Sequence, residues 1–161
     1  MKSDEKPFRL TSATRHMFDA WYAKAVNDET VWPYMTGDSR TTLEFSGDDD
    51  WDRVRYMDPT GSGLLSWSND RQCPLQTSSV NLWVLDVPRK RIIAGRLAAM
   101  IPELVFRYGT GAIDSMCHAS NHDSYKILSR RLGEPWGRKP NGAWNGKLGR
   151  HEDSLHFRKI L

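Results

Sequence analysis

Three short stretches of this chain hold residue types that could do chemistry together. The first is the basic turn Pro88-Arg89-Lys90-Arg91, which follows a strand-like run from Val80 to Val87 and opens a periodic helical segment. Main-chain N–H groups at a helix start lack partners within the helix, and the helix dipole favours an anion there. A strand feeding a basic turn is therefore a place to hold phosphates. The second stretch is Ala112–His118, a strand pattern ending in a histidine that can titrate near neutrality. The third is Asn121-His122-Asp123-Ser124, where Asn121 opens a short helix that stops at Gly133.

Other groupings are weaker. Cys117 and His118 are neighbours in one strand and so point to opposite faces, which argues against a Cys–His nucleophile pair. His118 with His122, and His151 with His156, lack the Cys-x-x-Cys pairing of a zinc set, so no metal is expected. The run from Trp136 to Lys147 interleaves basic and aromatic residues, as a base-stacking surface would, but a hairpin whose tryptophans close the core is the simpler reading. Nucleic acid is the least favoured partner. The acidic run Asp48–Asp52 is either an attractor for a cationic amine or a solvated loop.

These residues must be positioned by elements legible in the pattern. Phe8–Leu10 reads as a first strand, capped by Thr11 or Ser12 into a helix whose apolar face is Met17, Phe18, Trp21, Tyr22 and Ala25. Asp28–Met35 holds a second short helix or turn. Trp51–Met57 and Leu64–Ser68 read as a hairpin around the turn Asp58–Gly63, and Ser78–Val87 as the next strand. After Pro88, the residues Ile93, Leu97, Met100, Ile101, Leu104 and Val105 follow helical spacing. Pro102 then kinks that helix or starts a new one, and Gly109 or Gly111 ends it. Glu134–Gly149 reads as a hairpin loop and Ser154–Ile160 as a closing strand. The order β-α-α-β-β-β-α-β-α-β-β predicts an α+β fold: a single mixed, mostly antiparallel sheet with helices on both faces.

Composition sets the bounds. The 161 residues suffice for one domain with a real core, spanning 1–161. Residues 1–80 carry 9 Lys/Arg against 13 Asp/Glu, a net of −4, whereas residues 81–161 carry 14 against 7, a net of +7. The second half should attract anions. Two cysteines do not make a disulfide framework, no apolar run approaches a membrane span, and the first residues lack the apolar core of a signal peptide. A cytoplasmic setting is the expectation.

The element order and the two motifs resemble the GNAT superfamily of acyl-CoA-dependent N-acyltransferases. In that family a strand ends at a turn reading Gln/Arg-x-x-Gly-x-Gly/Ala, whose amides hold the pyrophosphate of CoA. Here Arg89-Lys90-Arg91-Ile92-Ile93-Ala94 falls in register, with Arg89 first, Ala94 last and Ile92 in place of the middle glycine. Asn121-His122-Asp123-Ser124 is similar to the family's Asn-x-x-Ala/Ser helix, which ends in Leu-Gly-Phe. Here the ending is Leu132-Gly133-Glu134, one residue further from the Asn than usual. The position often held by a catalytic Tyr is Ser129 counted back from Gly133, or Leu128 counted forward from Asn121.

The resemblance implies acetyl-CoA as co-substrate and direct attack of an amine on its thioester. The acceptor would be an amine-bearing small molecule or a protein. It implies cofactor contacts at Leu85, Val87, Arg89, Lys90, Arg91, Ile92, Ile93, Ala94, Gly95 and Arg96, with Asn121 and Ser124 along the pantetheine arm. Leu85–Val87 and Ser115–His118 should part to admit the acyl group. Asp86, His118 and Ser129 are the catalytic candidates, Asp86 and His118 as the ionisable side chains nearest that gap. The plainer alternatives are that Asp86 caps the following helix, that His118 packs on the sheet and that Asn121 is only a cap. The altered motifs also fit a second reading: a catalytically inactive GNAT-fold structural or internal virion protein of a bacteriophage, partnered by other virion proteins and found in the virion or host cytoplasm.

Overall fold

The computed structural model describes residues 5–35, 52–70 and 76–161. The acidic run Asp48–Asp50 and Cys73 lie outside the described residues. In chain order the elements are β1 (Phe8–Arg9), α1 (Arg15–Ala25), β2 (Arg53–Met57), β3 (Gly63–Asp70), β4 (Thr77–Val84), α2 (Lys90–Ala98), α3 (Ile101–Tyr108), β5 (Ala112–His118), α4 (His122–Leu132), β6 (Gly137–Asn145) and β7 (Arg150–Ile160). Short 3-10 turns occupy Ser12–Thr14 and Trp32–Tyr34. The described strands form one sheet in the order β1-β2-β3-β4-β5-β7-β6. Every neighbouring pair is antiparallel except β4 and β5. This is the α+β mixed sheet that the element order predicts.

Side-chain alternation sends one set of residues to each face. Val54, Tyr56, Leu65, Trp67, Val80, Val84 and Ile113 form a core with Ile93, Leu97, Met100, Leu104 and Tyr108 of α2 and α3. On the other face Met57, Leu64 and Leu85 pack with Phe18, Trp21 and Ala25 of α1 and with Val31 and Met35. Helices thus cover both faces. Gly63 lets α2 sit directly on the sheet, since a Cβ there would lie 2.6 Å from Ile93 Cγ2 and 2.8 Å from Leu97 Cδ1. Between α2 and α3 the helix ends and restarts with Pro102 in the first turn of α3, which avoids an interior proline. Gly109 closes α3 in the left-handed region at φ 60°.

Two expected boundaries are corrected. The strand expected to reach Val87 ends at Val84. Leu85 still donates its amide to Ser62 O at 2.8 Å, but Asp86 donates its own to a side chain from the other face, and the ladder stops. The segment expected as a hairpin loop, Glu134–Gly149, is instead the edge strand β6 and a tight turn into β7, which begins at Arg150 rather than Ser154. Pro140, Asn141 and Gly142 made it look like a loop. An edge strand tolerates them because only one side of it is paired, and the register shifts between Lys139 and Ala143. Asn141 sits at φ 52°, and its amide donates to Asp153 Oδ1 at 3.0 Å.

Candidate functional site

β4 and β5 are hydrogen-bonded only where Thr77, Ser78 and Ser79 face Ala112, Ile113 and Asp114. Beyond that point β4 runs on to Val84 and β5 to His118 as two walls of a gap. Each wall is held on its outer side. β3 pairs with β4 from Asp70↔Thr77 to Gly63↔Val84, and β7 pairs with β5 from Ala112↔Ile160 to His118↔Ser154. At the fork, Ser115 Oγ donates to Val80 O at 2.8 Å and takes the place of the next ladder bond. The main-chain groups beyond it face the opening rather than a partner strand, and such groups bind whatever polar chain enters.

The turn from β4 to α2 closes the end of this gap. Leu85 is buried and its amide is used by Ser62 O. Asp86 donates its amide to Asp28 Oδ2 at 2.7 Å, and its side chain is exposed. No side chain caps α2, so Asp86 is not the helix cap that the plainer alternative expects. Val87 packs against both core clusters, and its carbonyl accepts the Lys90 amide at 3.1 Å. Lys90 Nζ donates to Thr30 Oγ1 at 3.2 Å. Arg89, Arg91 and Ile92 are exposed, Ile92 at 50%. The replacement side chain therefore leans into solvent and does not plug the turn.

Three of the expected amide donors are spent inside the helix. The Ile93 amide donates to Arg89 O at 3.1 Å, and Ala94 and Gly95 lie further along α2. The donors left at the helix start are those of Arg91 and Ile92, which precede the first i−4 bond. Arg96 faces away from the turn. Its Nε lies 3.1 Å from Asp58 Oδ1 as an ion pair without hydrogen-bond alignment, and Nη2 reaches Oδ2 at 3.5 Å. Asp58 is 0% exposed and also accepts the Thr60 hydroxyl at 2.6 Å. Arg96 locks the β2–β3 turn onto α2.

On the far wall Asn121 caps α4, its side chain accepting the Ser124 amide at 3.3 Å. Ser129 Oγ donates to Lys126 O within the same helix. The tyrosine of α4 is Tyr125, whose hydroxyl donates to Glu134 Oε2 at 2.8 Å. Cys117 is buried on the α4 side, where burial first and then the Glu152 charge push its thiol up to about 11.

His118 is 3% exposed and belongs to a polar cluster that the motifs do not reveal. Its Nδ1 lies 3.7 Å from Glu152 Oε2, and the Tyr34 ring meets the imidazole edge-on with centroids 5.1 Å apart. Glu152 Oε1 accepts the Ser120 amide at 2.7 Å and Oε2 accepts the Ser120 hydroxyl at 2.9 Å. The Asn145 side-chain amide also donates to Oε2. Burial alone would raise the Glu152 carboxyl, but the donors from Asn145 and Ser120 outweigh it, and His118 adds to them. The net shift is downward, so Glu152 is held as a carboxylate. Asn145 falls in the segment that the sequence reads as a hairpin loop and Glu152 between that loop and the expected closing strand, and no local pattern marks them. Among the described residues no three His, Cys, Asp or Glu side chains converge as metal ligands, and no helix is long and apolar enough to cross a membrane.

No family model matches the sequence, and no curated protein matches it. The fold, however, is similar to solved N-acetyltransferases over nearly its whole length. A GCN5-related N-acetyltransferase from Kribbella flavida is 15% identical and superposes with a TM-score of 0.69, covering 97% of each chain. A ribosomal-protein-alanine N-acetyltransferase from Brucella melitensis is 20% identical with a TM-score of 0.68, covering 96% of this chain and 99% of that one. An N-acetyltransferase from Staphylococcus aureus is 14% identical with a TM-score of 0.68, covering 96% of each. At these identities the likeness establishes the fold, which is that of the GNAT N-acetyltransferases.

Proposed function

We propose that the chain, as one domain over 1–161, is an N-acyltransferase that moves an acyl group from an acyl-CoA thioester to an amine. Acetyl-CoA is the expected donor and a cytoplasmic setting the expected one. The observation that carries this reading is the fork after Ser79 and Asp114, with the basic turn Arg89-Lys90-Arg91 at its end. An extended pantetheine arm needs unpaired main-chain groups along it and positive charge at its phosphate end. The gap and the turn offer both.

In this reading the amine attacks the thioester carbonyl directly. The ammonium form must first lose a proton, and the developing oxyanion needs a donor. Of the two ionisable groups nearest the gap, His118 is backed by a carboxylate whereas the Asp86 side chain is exposed. His118 is therefore the preferred proton acceptor. The acceptor is an amine of a small molecule or a protein. A neighbour of the same fold bears the name of a ribosomal-protein-alanine acetyltransferase, and that is support for a protein acceptor only by analogy.

A second reading keeps the fold and drops the catalysis. Two observations favour it: the Asp86 amide is already bonded to Asp28, and the Ile93 amide is committed to Arg89 O. Neither the fold nor the structural neighbours speak to a virion setting. Calorimetry with acetyl-CoA separates the readings. Micromolar binding that weakens at least tenfold in the Lys90→Ala/Arg91→Ala double variant supports the transferase. No heat at millimolar acetyl-CoA supports the non-catalytic domain.

A further inference from the structure

We propose that Ser115 is a positioning residue that fixes how deep the gap between β4 and β5 runs, and so how long an acyl chain the donor can carry. The inference rests on the transferase reading above. It starts from where the ladder stops. β4 continues to Val84 and β5 to His118, yet the two pair no further than Ser79↔Asp114. A parallel pair carries evenly spaced bonds for as long as both strands supply donors and acceptors. The Ala112 amide donates to Gln76 O at 3.2 Å, so the alternation along β5 points the amides of Asp114 and Met116 at β4 as well. In that register the next main-chain bond would run from the Met116 amide to Val80 O. Val80 and Ser115 are not paired, and Val80 O instead accepts the Ser115 hydroxyl at 2.8 Å.

The hydroxyl acts as a spacer. It satisfies the Val80 carbonyl without drawing the main chain of β5 into the ladder, which leaves the strands free to part. Both residues are buried, and each wall is held from outside at this level, Val80 by Trp67 on β3 and Ser115 by Phe157 on β7. A buried carbonyl left without a donor is costly. Removing the hydroxyl therefore favours the Met116 amide in its place, and the ladder grows by one pair. The basic turn Arg89-Lys90-Arg91 follows the other end of β4. The donor's phosphates belong there, and its thioester, at the opposite end of the pantetheine arm, lies toward Ser115. One residue of strand is about 3.3 Å long, close to what an acetyl group adds beyond the sulfur. A ladder one pair longer takes the space of the acyl group and leaves that of the arm.

Scalar couplings across hydrogen bonds read the fork directly in isotope-labelled protein, with no ligand present. Wild type is expected to show none from the Met116 amide to the Val80 carbonyl, and Ser115→Ala to show one. Such a coupling in wild type, or its absence in folded Ser115→Ala, would overturn the spacer. Calorimetry with CoA, acetyl-CoA and butyryl-CoA then reads the donor. Ser115→Ala is expected to bind CoA as wild type does, to lose at least about tenfold in acetyl-CoA affinity and to lose more with butyryl-CoA. Ser115→Thr keeps the hydroxyl and is expected to restore the wild-type order. Ser115→Cys, whose thiol is only a weak donor, carries the same expectations as Ser115→Ala should that variant not fold. A serine that only stabilised the fold would lower the denaturation midpoint and leave the ratio of acetyl-CoA to CoA affinity in place, and that result sinks the role. So does a gain for butyryl-CoA in Ser115→Ala, since the hydroxyl would then be a plug and not a spacer. If wild type binds none of the three, the transferase reading fails and the acyl role falls with it, whereas the coupling still decides whether Ser115 holds the strands apart.

Discussion

The carboxylate of Asp28 and the main-chain amide of Asp86, 58 residues apart, are joined by a 2.7 Å hydrogen bond. This bond ties the loop after α1 to the turn that ends β4. Asp28 also accepts the Thr30 amide at 2.8 Å and the Thr30 hydroxyl at 2.7 Å, and Lys90 Nζ binds that hydroxyl in turn. The strap therefore fixes the turn at the end of β4 and leaves the Asp86 amide already bonded.

The strap should be sensitive to acid. Burial alone would raise the Asp28 carboxyl, but the bonds from Asp86 and Thr30, with the charge of Lys90, bring it below its ordinary 3.8. A carboxyl depressed in the folded state stabilises the fold above the unfolded value and loses that contribution as pH falls through the folded one. Asp28→Asn is expected to cost about 1 kcal/mol at pH 7. Urea melts at pH 7 and below pH 3.8 should show the gap between the two proteins closing in acid. A gap that persists in acid would show that the strap does not depend on the carboxylate.

The same strap bears on acyl-CoA binding. If Asp28 competes with the acyl carbonyl for the Asp86 amide, Asp28→Ala should bind acetyl-CoA at least threefold more tightly than wild type, in proportion to the bond removed. Calorimetry at pH 7 reads this directly. Weaker binding would mean that the strap shapes the site instead of closing it.

Arg96 and the pair Lys90/Arg91 should separate cleanly, although all three were expected to contact phosphate. Arg96→Met strands the fully buried Asp58 carboxylate and is expected to cost about 3–5 kcal/mol in denaturant melts. Lys90→Ala/Arg91→Ala changes exposed or half-exposed positions and should stay within about 1 kcal/mol of wild type. Its loss should appear in acetyl-CoA affinity.

What could be read in the sequence was local. The strand Ala112–His118 and the helix from Asn121 to Gly133 have their expected bounds because their signals sit within one element: a cap at one end, a glycine at the other. The restart at Pro102 was likewise implicit in proline's missing N–H. The parallel pairing of β4 and β5 followed from a strand–helix–strand crossover, which puts a parallel pair into an otherwise antiparallel sheet, whereas their parting was implied only by the family resemblance. The partner of Arg96 could not be read, because Asp58 is 38 residues away in another turn. Nor could the strap, which joins two loops, or the cluster around His118, which draws on β5, β6 and β7. β6 was hidden for another reason: Pro140-Asn141-Gly142 spells a turn, and only an edge position with a bulge makes it a strand.

The contact beneath α2 gives a stability test independent of any ligand. At Gly63 an added Cβ would press on Ile93 Cγ2 and Leu97 Cδ1, both from fully buried side chains. These atoms are branches held in a packed core, so the helix itself must shift. Gly63→Ala is expected to destabilise the fold by about 1–3 kcal/mol. Ile93→Ala alone should cost about 2–5 kcal/mol, and in the Gly63→Ala background it should cost less, because it removes Cγ2 from the crowded site. Chemical denaturation of the four proteins gives the coupling, and strict additivity would mean that the helix does not bear on Gly63 in this way.

Cys117 offers a probe of the sheet's far side. Its thiol, pushed up to about 11 by burial and then by Glu152, should be almost wholly protonated at pH 8. A free thiol near pKa 8.5 is substantially ionised there, so folded Cys117 should react with a disulfide reagent at least about a hundredfold more slowly. The measurement belongs in a Cys73→Ser background so that one thiol is read. Glu152→Gln removes the second cause of the shift and should speed the reaction modestly, whereas unfolding in guanidinium should restore the full rate. Fast modification in the native state would place the thiol in solvent and contradict the packing of β5 against α4.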